Sequence, residues 1–395
     1  MHGTRAPLKI MAPKSAAVKA ALRVAVVGAG SIGREYALHH FGSHTGTQVA
    51  SIVDLDTSAA QALARDVGAA QAGAAIVGRN RYKSVVSDAK AGDPVRHAAA
   101  LTDEVLDDCS VVYIGVTPSA HKDLVLRALE AGKHVLLEKP LASTAADADA
   151  IVAAAAAAET RGTWLAMNIG MRWNAALQEM RNQVRREREQ GGCLLSASLS
   201  LHFVQWPREW QQVAWCAGRA DGGPLRECGT HYLAAVNELF GVGSVKRVRA
   251  TVTYPDGPDG SMAESGVEGE LTLSDGLIVT VSVKTDGTGL AADGDDHYNL
   301  ELETQHGGTL LLSDFTALRR RAHGGARRWK TLVDRGEYGR TECVTTLCER
   351  IHCGRAAGGG QSDERVTARD GREVQRVLDA LLASGGEWVD LDVPA

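Results

Sequence analysis

From Gly28 to Gly33 the chain reads G-A-G-S-I-G, three glycines at the spacing that a diphosphate needs. The first permits a tight turn, the second lets the backbone approach a pyrophosphate, and the third allows close packing of the helix that follows. That helix would direct its first amides at the phosphates, with Ser31 and Ile32 completing the turn. About twenty residues beyond Gly33, Asp54 ends a second apolar run, where a carboxylate accepts hydrogen bonds from an adenosine ribose. An acid there repels a 2′-phosphate, which favours NAD over NADP. The alternative is an ordinary glycine turn and an aspartate at a strand end.

A second group of residues lies further along. G-V-T-P-S-A-H closes another apolar run, so the backbone of Thr117 and Pro118, with His121, is expected along the same crevice. His121 could equally cap the following helix. H-V-L-L-E-K-P-L-A-S then runs three apolar residues into a glutamate, a lysine and a proline. Val135, Leu136 and Leu137 suit a parallel strand covered on both faces, and Pro140, with no N–H to donate, stops it. Glu138 and Lys139 therefore fall at the carboxyl end of a central strand, where open α/β sheets bind ligands. Read alone, they could also be a surface ion pair.

Such residues need a sheet to hold them, and the order of elements supplies one. An apolar run precedes the glycine turn; V-A-S-I-V-D-L-D follows, then a helix with Gly68 as its expected end. The strand C-S-V-V-Y-I-G-V, a helix, the strand ending at Glu138, an Ala-rich helix closed by Gly162 and the run T-W-L-A-M-N-I-G continue the alternation that a parallel sheet requires. Residues 69–97, rich in Gly, Asn, Lys and Arg, show no period and read as a surface insertion whose Arg79, Arg81, Lys83 and Lys90 are solvated. Past Arg186 the text changes to alternating segments that turn at Asp-Gly and Gly-Gly pairs, the pattern of an antiparallel sheet with one covered face. An amphipathic helix with Thr367 as N-cap and Gly385 beyond its end closes the chain. The predicted fold class is α/β. A Rossmann doubly wound parallel sheet over residues 22–142 precedes an α/β domain with a large open, mainly antiparallel sheet over 143–395, and residues 1–21 form a basic, flexible extension.

Composition narrows the partners. With 395 residues, 44% of them apolar, and a net charge of −5, the chain can build two or three cores and has no overall pull toward nucleic acid or anionic membrane. The basic hairpin around Arg319 to Arg321 lacks the interleaved aromatics of a nucleic-acid surface. No run approaches the length of a membrane span. Seven cysteines, an odd number, fit a reducing compartment, and Cys343, Cys348 and Cys353 have no metal-ligand spacing, so no metal site is expected. A cytoplasmic protein is the expectation, although the acid-free basic start could also be an organelle address.

Together the GxGxxG opening, the acid after the second strand, the T-P-x-x-H turn and the E-K-P turn resemble the glucose-fructose oxidoreductase, inositol dehydrogenase and rhizopine-catabolism superfamily (Gfo/Idh/MocA). G-G-P-L-R-E-C-G-T-H, ending at His231, is similar to that family's G-G-x-L-x-D-x-G-x-H segment, and the resemblance extends over nearly the whole chain from Leu22. It implies hydride transfer between a nicotinamide and a secondary alcohol of a sugar or cyclitol, with an open sheet often used for subunit contact in a homodimer or homotetramer. It makes Lys139 the active-site lysine, places Glu138 beside the nicotinamide, and makes His231 the proton acceptor. Where the family has Asp, this chain has Glu227, four residues before His231, and Ala234 replaces a further common Asp. A Glu-to-His step of four puts both on one helix face, so Glu227 is expected to orient His231, as an Asp does in a serine-protease triad.

The segment before this motif holds Trp206, Trp210 and Trp215 with Arg208 and Arg219. Aromatic faces against sugar C–H surfaces and arginines donating to hydroxyls would suit a polar substrate pocket; core packing is the alternative for each tryptophan. Arg172, at the end of the sixth apolar run, is a candidate for the same pocket or for pairing with an acid. Three functions follow. One is an NAD-dependent dehydrogenase of a sugar, cyclitol or related diol. The second is a glycosidase or lyase using transient oxidation, and the third a non-catalytic dinucleotide sensor.

Overall fold

Continuous apolar runs become the strands of a six-stranded parallel sheet in a computed structural model that describes residues 20–73, 94–290, 294–323, 328–354 and 364–391. Its strands are Leu22–Val27 (β1), Thr47–Val53 (β2), Arg96–Ala98 (β3), Val111–Ile114 (β4), His134–Glu138 (β5) and Leu165–Asn168 (β6), in the order β3-β2-β1-β4-β5-β6. The order reverses between β1 and β4, and at that point a crevice opens outside the carboxyl ends of the strands. Among the described residues, five α-helices run among these strands: Ser31–Glu35 (α1), Thr57–Gln71 (α2), Asp103–Asp107 (α3), His121–Glu130 (α4) and Ala145–Thr160 (α5).

Side chains alternate across this sheet, as a period of two requires. Val24, Val26, Ile52, Tyr113 and Leu136 face one core, whereas Ala25, Val27, Val112, Val135 and Leu137 face the other. The sheet runs past the expected boundary at residue 142, since β6 is its sixth member. Its first face is also closed by a helix from the far end of the chain, Arg340–Cys353, which buries Cys343, Val344, Leu347 and Cys348 there. Residues 22–142 are therefore not a complete unit. Two of the regularly spaced cysteines are core residues of this packing.

The second sheet has nine strands: Leu194–His202 (β7), Val245–Thr253 (β8), Gly266–Leu273 (β9), Ile278–Lys284 (β10), His297–Thr304 (β11), Gly308–Ser313 (β12), Ala317–Arg321 (β13), Lys330–Val333 (β14) and Val389–Asp390 (β15). In the order β14-β13-β12-β11-β7-β10-β9-β8-β15, every pair is antiparallel except β7 with β10. Helices Ala175–Glu189 (α6), Ala214–Ala217 (α7), Thr230–Phe240 (α8), Arg340–Cys353 (α9) and Ala368–Ala383 (α10) complete the chain. A capping box between Thr367 and Asp370 starts α10, which packs against α5 of the first sheet and against α8 and β8 of the second.

Two local expectations are corrected. Gly68 does not end α2, because Ala69, Ala70 and Gln71 carry the helix on and Gln71 Nε2 anchors it to Val49 O at 3.1 Å. The 69–97 insertion begins inside that helix and ends in β3, and Arg79, Arg81, Lys83 and Lys90 lie outside the described residues. The 1–21 extension lies outside them too, apart from residues 20 and 21. Among the described residues no helix is long and apolar enough to cross a membrane.

Candidate active site

The glycine turn is built as the spacing requires. Gly28 sits at φ +106°, where a Cβ would lie 2.3 Å from Gly115 O, and a Cβ on Gly33 would lie 1.8 Å from Gly28 O. Gly30 is different: it is exposed, and a Cβ there would have nothing within 4 Å. The turn thus leaves open the one glycine meant for close approach by a diphosphate, so the residues fit that group. Asp54 stands over it, with Oδ2 accepting from Ala29 N at 2.7 Å and Oδ1 from Asp56 N at 2.8 Å. Ser31 and Ile32 lie exposed on the same turn.

On the far side of the crevice Thr117 is half-buried and Pro118 is buried. His121 does not line the crevice. Its ring is fully buried, with Nε2 3.1 Å from Val116 O and Nδ1 3.3 Å from Leu141 O, so it ties the turn after β4 to the turn after β5. Neither the cofactor contact nor the helix-cap reading describes it. Ser119 N and Oγ both donate to the Asp221 carboxylate, at 2.7 and 2.9 Å, which links this rim to the segment before α8.

At the end of β5, Glu138 is buried beneath the site rather than open beside it. Its carboxylate accepts from Tyr113 Oη at 2.8 Å, from Asn168 Nδ2 and from the Lys139 amide at 3.2 Å. Burial pushes its pKa up, against the pull of the Lys139 cation and the Tyr113 and Asn168 donors. This network fixes the turn that aims Lys139, whose Nζ lies 3.2 Å from Glu227 Oε1 and 3.0 Å from Glu227 O. Lys139 comes from the first sheet and Glu227 from the segment that leads into α8. Their side chains are only 13% and 8% exposed.

Glu227 does not orient His231, and this corrects the expectation from their spacing. Leu225–Gly229 winds as a π-helical turn that leads into α8, and the two side chains take different partners. Glu227 turns instead to Lys139 and to Gln211 Nε2 at 3.1 Å. His231 Nδ1 meets the hydroxyl of Tyr338. Burial, with the Lys139, Arg340 and Arg208 cations around it, holds the His231 pKa well below the usual histidine range.

The expected substrate residues divide. Arg208 stays at the site: its guanidinium lies over the Trp210 ring at 4.3 Å and bonds Gln211 Oε1 through Nε at 3.0 Å, one step from Glu227. Trp206 packs edge-on against Phe203 and spends its N–H on Cys216 O at 2.9 Å, a packing role. Arg172 is taken by structural partners, Glu238 Oε1 at 2.7 Å and Arg365 O at 2.6 Å, so it pairs with an acid rather than lining the pocket. Arg219 clamps a loop through Pro258, Gly257 and Met262 carbonyls. Tyr338, Gln211 and Asn168 are site residues that sequence reasoning missed. Only the glycines around Tyr338, in R-G-E-Y-G-R, could have signalled it.

Comparison with known proteins agrees with this layout. Residues 22–165 match the model of the GFO_IDH_MocA oxidoreductase family, NAD-binding Rossmann fold. The 1,5-anhydro-D-fructose reductase of Ensifer adhaerens is 30% identical over 257 residues, 65% of this chain and 67% of that protein. This chain belongs to the Gfo/Idh/MocA family of oxidoreductases. D-glucoside 3-dehydrogenase of Escherichia coli K12 is 28% identical over 276 residues, covering 69% of this chain and 70% of that one. The crystal structure of GenD2 from gentamicin A biosynthesis, in complex with NAD, shares the fold over 97% of this chain and 100% of its own, with TM-score 0.68 at 18% identity. As a Gfo/Idh/MocA member, the chain carries an NAD(P)-binding Rossmann domain beside a mixed, mostly antiparallel nine-stranded sheet.

Proposed function

We propose that this protein transfers a hydride between NAD and a secondary hydroxyl of a sugar, cyclitol or related diol. The observation that carries the reading is Lys139 at the carboxyl end of β5, paired with Glu227 and close enough to His231 to depress its pKa, at the edge that the Gly28–Gly33 turn also faces. The turn of Gly28, Gly30, Ser31, Ile32 and Gly33 would hold the diphosphate, Asp54 the adenosine ribose, and the backbone of Thr117 and Pro118 the far rim. Bound there, the nicotinamide supplies the hydride acceptor. Lys139 and His231 meet the reacting oxygen, and Glu138 stays beneath them as the buried anchor of the lysine turn. Arg208 is the side chain best placed to donate to a second hydroxyl. The Asp54 carboxylate disfavours the 2′-phosphate of NADP by charge. Sugar oxidoreductases among the relatives support the substrate class, and the open face of the nine-stranded sheet is the proposed subunit contact.

A panel of sugars and polyols, followed by nicotinamide absorbance, tests this reading. Steady NADH accumulation with a member of the panel is the expected result. Tight NAD binding without turnover, or turnover without net NADH, would contradict it.

A further inference from the structure

Tyr338 lies more than a hundred residues from His231 in sequence, yet its position is tightly fixed. Gly170 and Gly339 let the two backbones touch: a Cβ on Gly339 would lie 2.3 Å from Gly170 O, and one on Gly170 would lie 2.6 Å from Tyr338 O. Asn174 Nδ2 holds the neighbouring Glu337 carbonyl at 3.2 Å, and the Arg340 guanidinium sits 5.0 Å over the tyrosine ring while pairing with Glu35 at 3.4 Å. Tyr338 and Phe315 both meet the His231 ring edge-on, at 5.3 and 5.4 Å between centroids. The imidazole is gripped in one orientation, with Nδ1 toward the phenol.

We propose that Tyr338 is a positioning residue that donates its hydroxyl proton to His231 Nδ1, so that His231 carries its own proton on Nε2 and meets the reacting oxygen as a hydrogen-bond donor. A phenol, with an ordinary pKa of about 10, is the better donor of this pair, and an unprotonated ring nitrogen is the better acceptor. Burial strengthens the assignment, since it keeps the Tyr338 proton in place and the imidazole neutral. The cations facing the ring are Lys139, Arg340 and Arg208, and the nearby carboxylate of Glu227 is engaged by Lys139 and Gln211. A neutral imidazole can polarise a carbonyl oxygen as a donor without taking a proton.

This inference deepens the hydride-transfer reading and rests on it for the identity of the reacting oxygen. Proton transfer then falls to Lys139. The Lys139 ammonium first passes one proton to Glu227 Oε1, 3.2 Å away, which leaves Nζ a neutral amine. As the alcohol C–H bond breaks with its electron pair leaving as hydride to oxidised nicotinamide, the O–H bond then gives its proton to that amine, so the proton released by the alcohol is balanced by the one now held on Glu227. His231 holds the oxygen throughout and neither gains nor loses a proton.

Long-range proton–nitrogen correlation on the full-length protein labelled with 15N-histidine, without cofactor or substrate at near-neutral pH, reads the tautomer directly. His231 is assigned by the signals lost in His231→Asn. The expected pattern is an unprotonated Nδ1 and a protonated Nε2, shifting measurably toward the Nδ1–H form in Tyr338→Phe. A Nδ1–H or doubly protonated ring in the unmodified protein would overturn the proposal, whether or not the variant folds. So would an unchanged tautomer in a Tyr338→Phe protein with normal circular dichroism. Because no substrate is present, a wrong substrate class leaves this test intact, and a wrong tautomer leaves hydride transfer itself standing.

Discussion

Asp54 shows how much one carboxylate is asked to do. Its two oxygens accept the Ala29 and Asp56 amides, so it braces the glycine turn, and in the proposed reading its negative charge faces the adenosine ribose. Asp54→Ser keeps a short acceptor and removes the charge. The NADH-to-NADPH affinity ratio, measured by fluorescence titration, should fall in this variant, and a ratio favouring NADPH in the unmodified protein would contradict the NAD assignment. His134 is a second residue whose environment makes a prediction. Its Nδ1 accepts from Trp164 N at 3.0 Å, and burial, with Arg365 nearby, lowers its pKa to about 4. A histidine depressed in the folded state binds its proton first in the unfolded chain, so the stability it contributes is lost as pH falls from about 6.5 toward 4. Buried Glu138, Glu264 and Asp379, with raised pKa values, act in the opposite sense above the ordinary carboxylate range. Comparing His134→Asn with the unmodified protein isolates the histidine term: in denaturant titrations the variant should lose less stability across that window. Parallel losses in the two proteins would refute it.

At the scale of elements, the turn between β1 and α1 separates folding from binding. Gly33→Ala forces a Cβ against Gly28 O and should cost about 1–3 kcal/mol, seen as a lowered melting temperature. Gly30→Ala meets nothing in the protein, so its melting temperature should hold while dinucleotide affinity falls. Equal effects of the two substitutions on stability would show that the turn has only a structural role. These glycines were legible because their spacing and their place between a strand and a helix encode the turn. Lys139 was legible for a similar reason, since an apolar strand cut by proline has to end at a sheet edge. The partner of His231 was not. Spacing says which residues share a helix face but not which partners packing brings to them, and Tyr338 reaches the site from an aperiodic stretch by tertiary packing alone. Helix α9 escaped notice for the same reason: only contact with the first sheet shows that Cys343 and Cys348 are core residues.

The whole molecule explains why the site lies where it does. The parallel sheet presents Lys139 and the glycine turn, while α8 and the segment before it present Glu227 and His231 from the second sheet. Helix α10 packs on both bodies, and Met167 N donates to Val366 O at 2.7 Å just ahead of it, so the two halves of the site are held by one scaffold. In the proposed reading binding and chemistry fall to separable parts, the dinucleotide to the first sheet's turns and the proton to the seam. The most direct test measures NAD affinity and turnover together in Lys139→Met, using whichever polyol or sugar the unmodified protein oxidises. The account predicts near-normal NAD affinity with turnover reduced at least about a hundredfold, the scale of a lost acid-base group. Turnover retained in that variant, with NAD still bound, would contradict it.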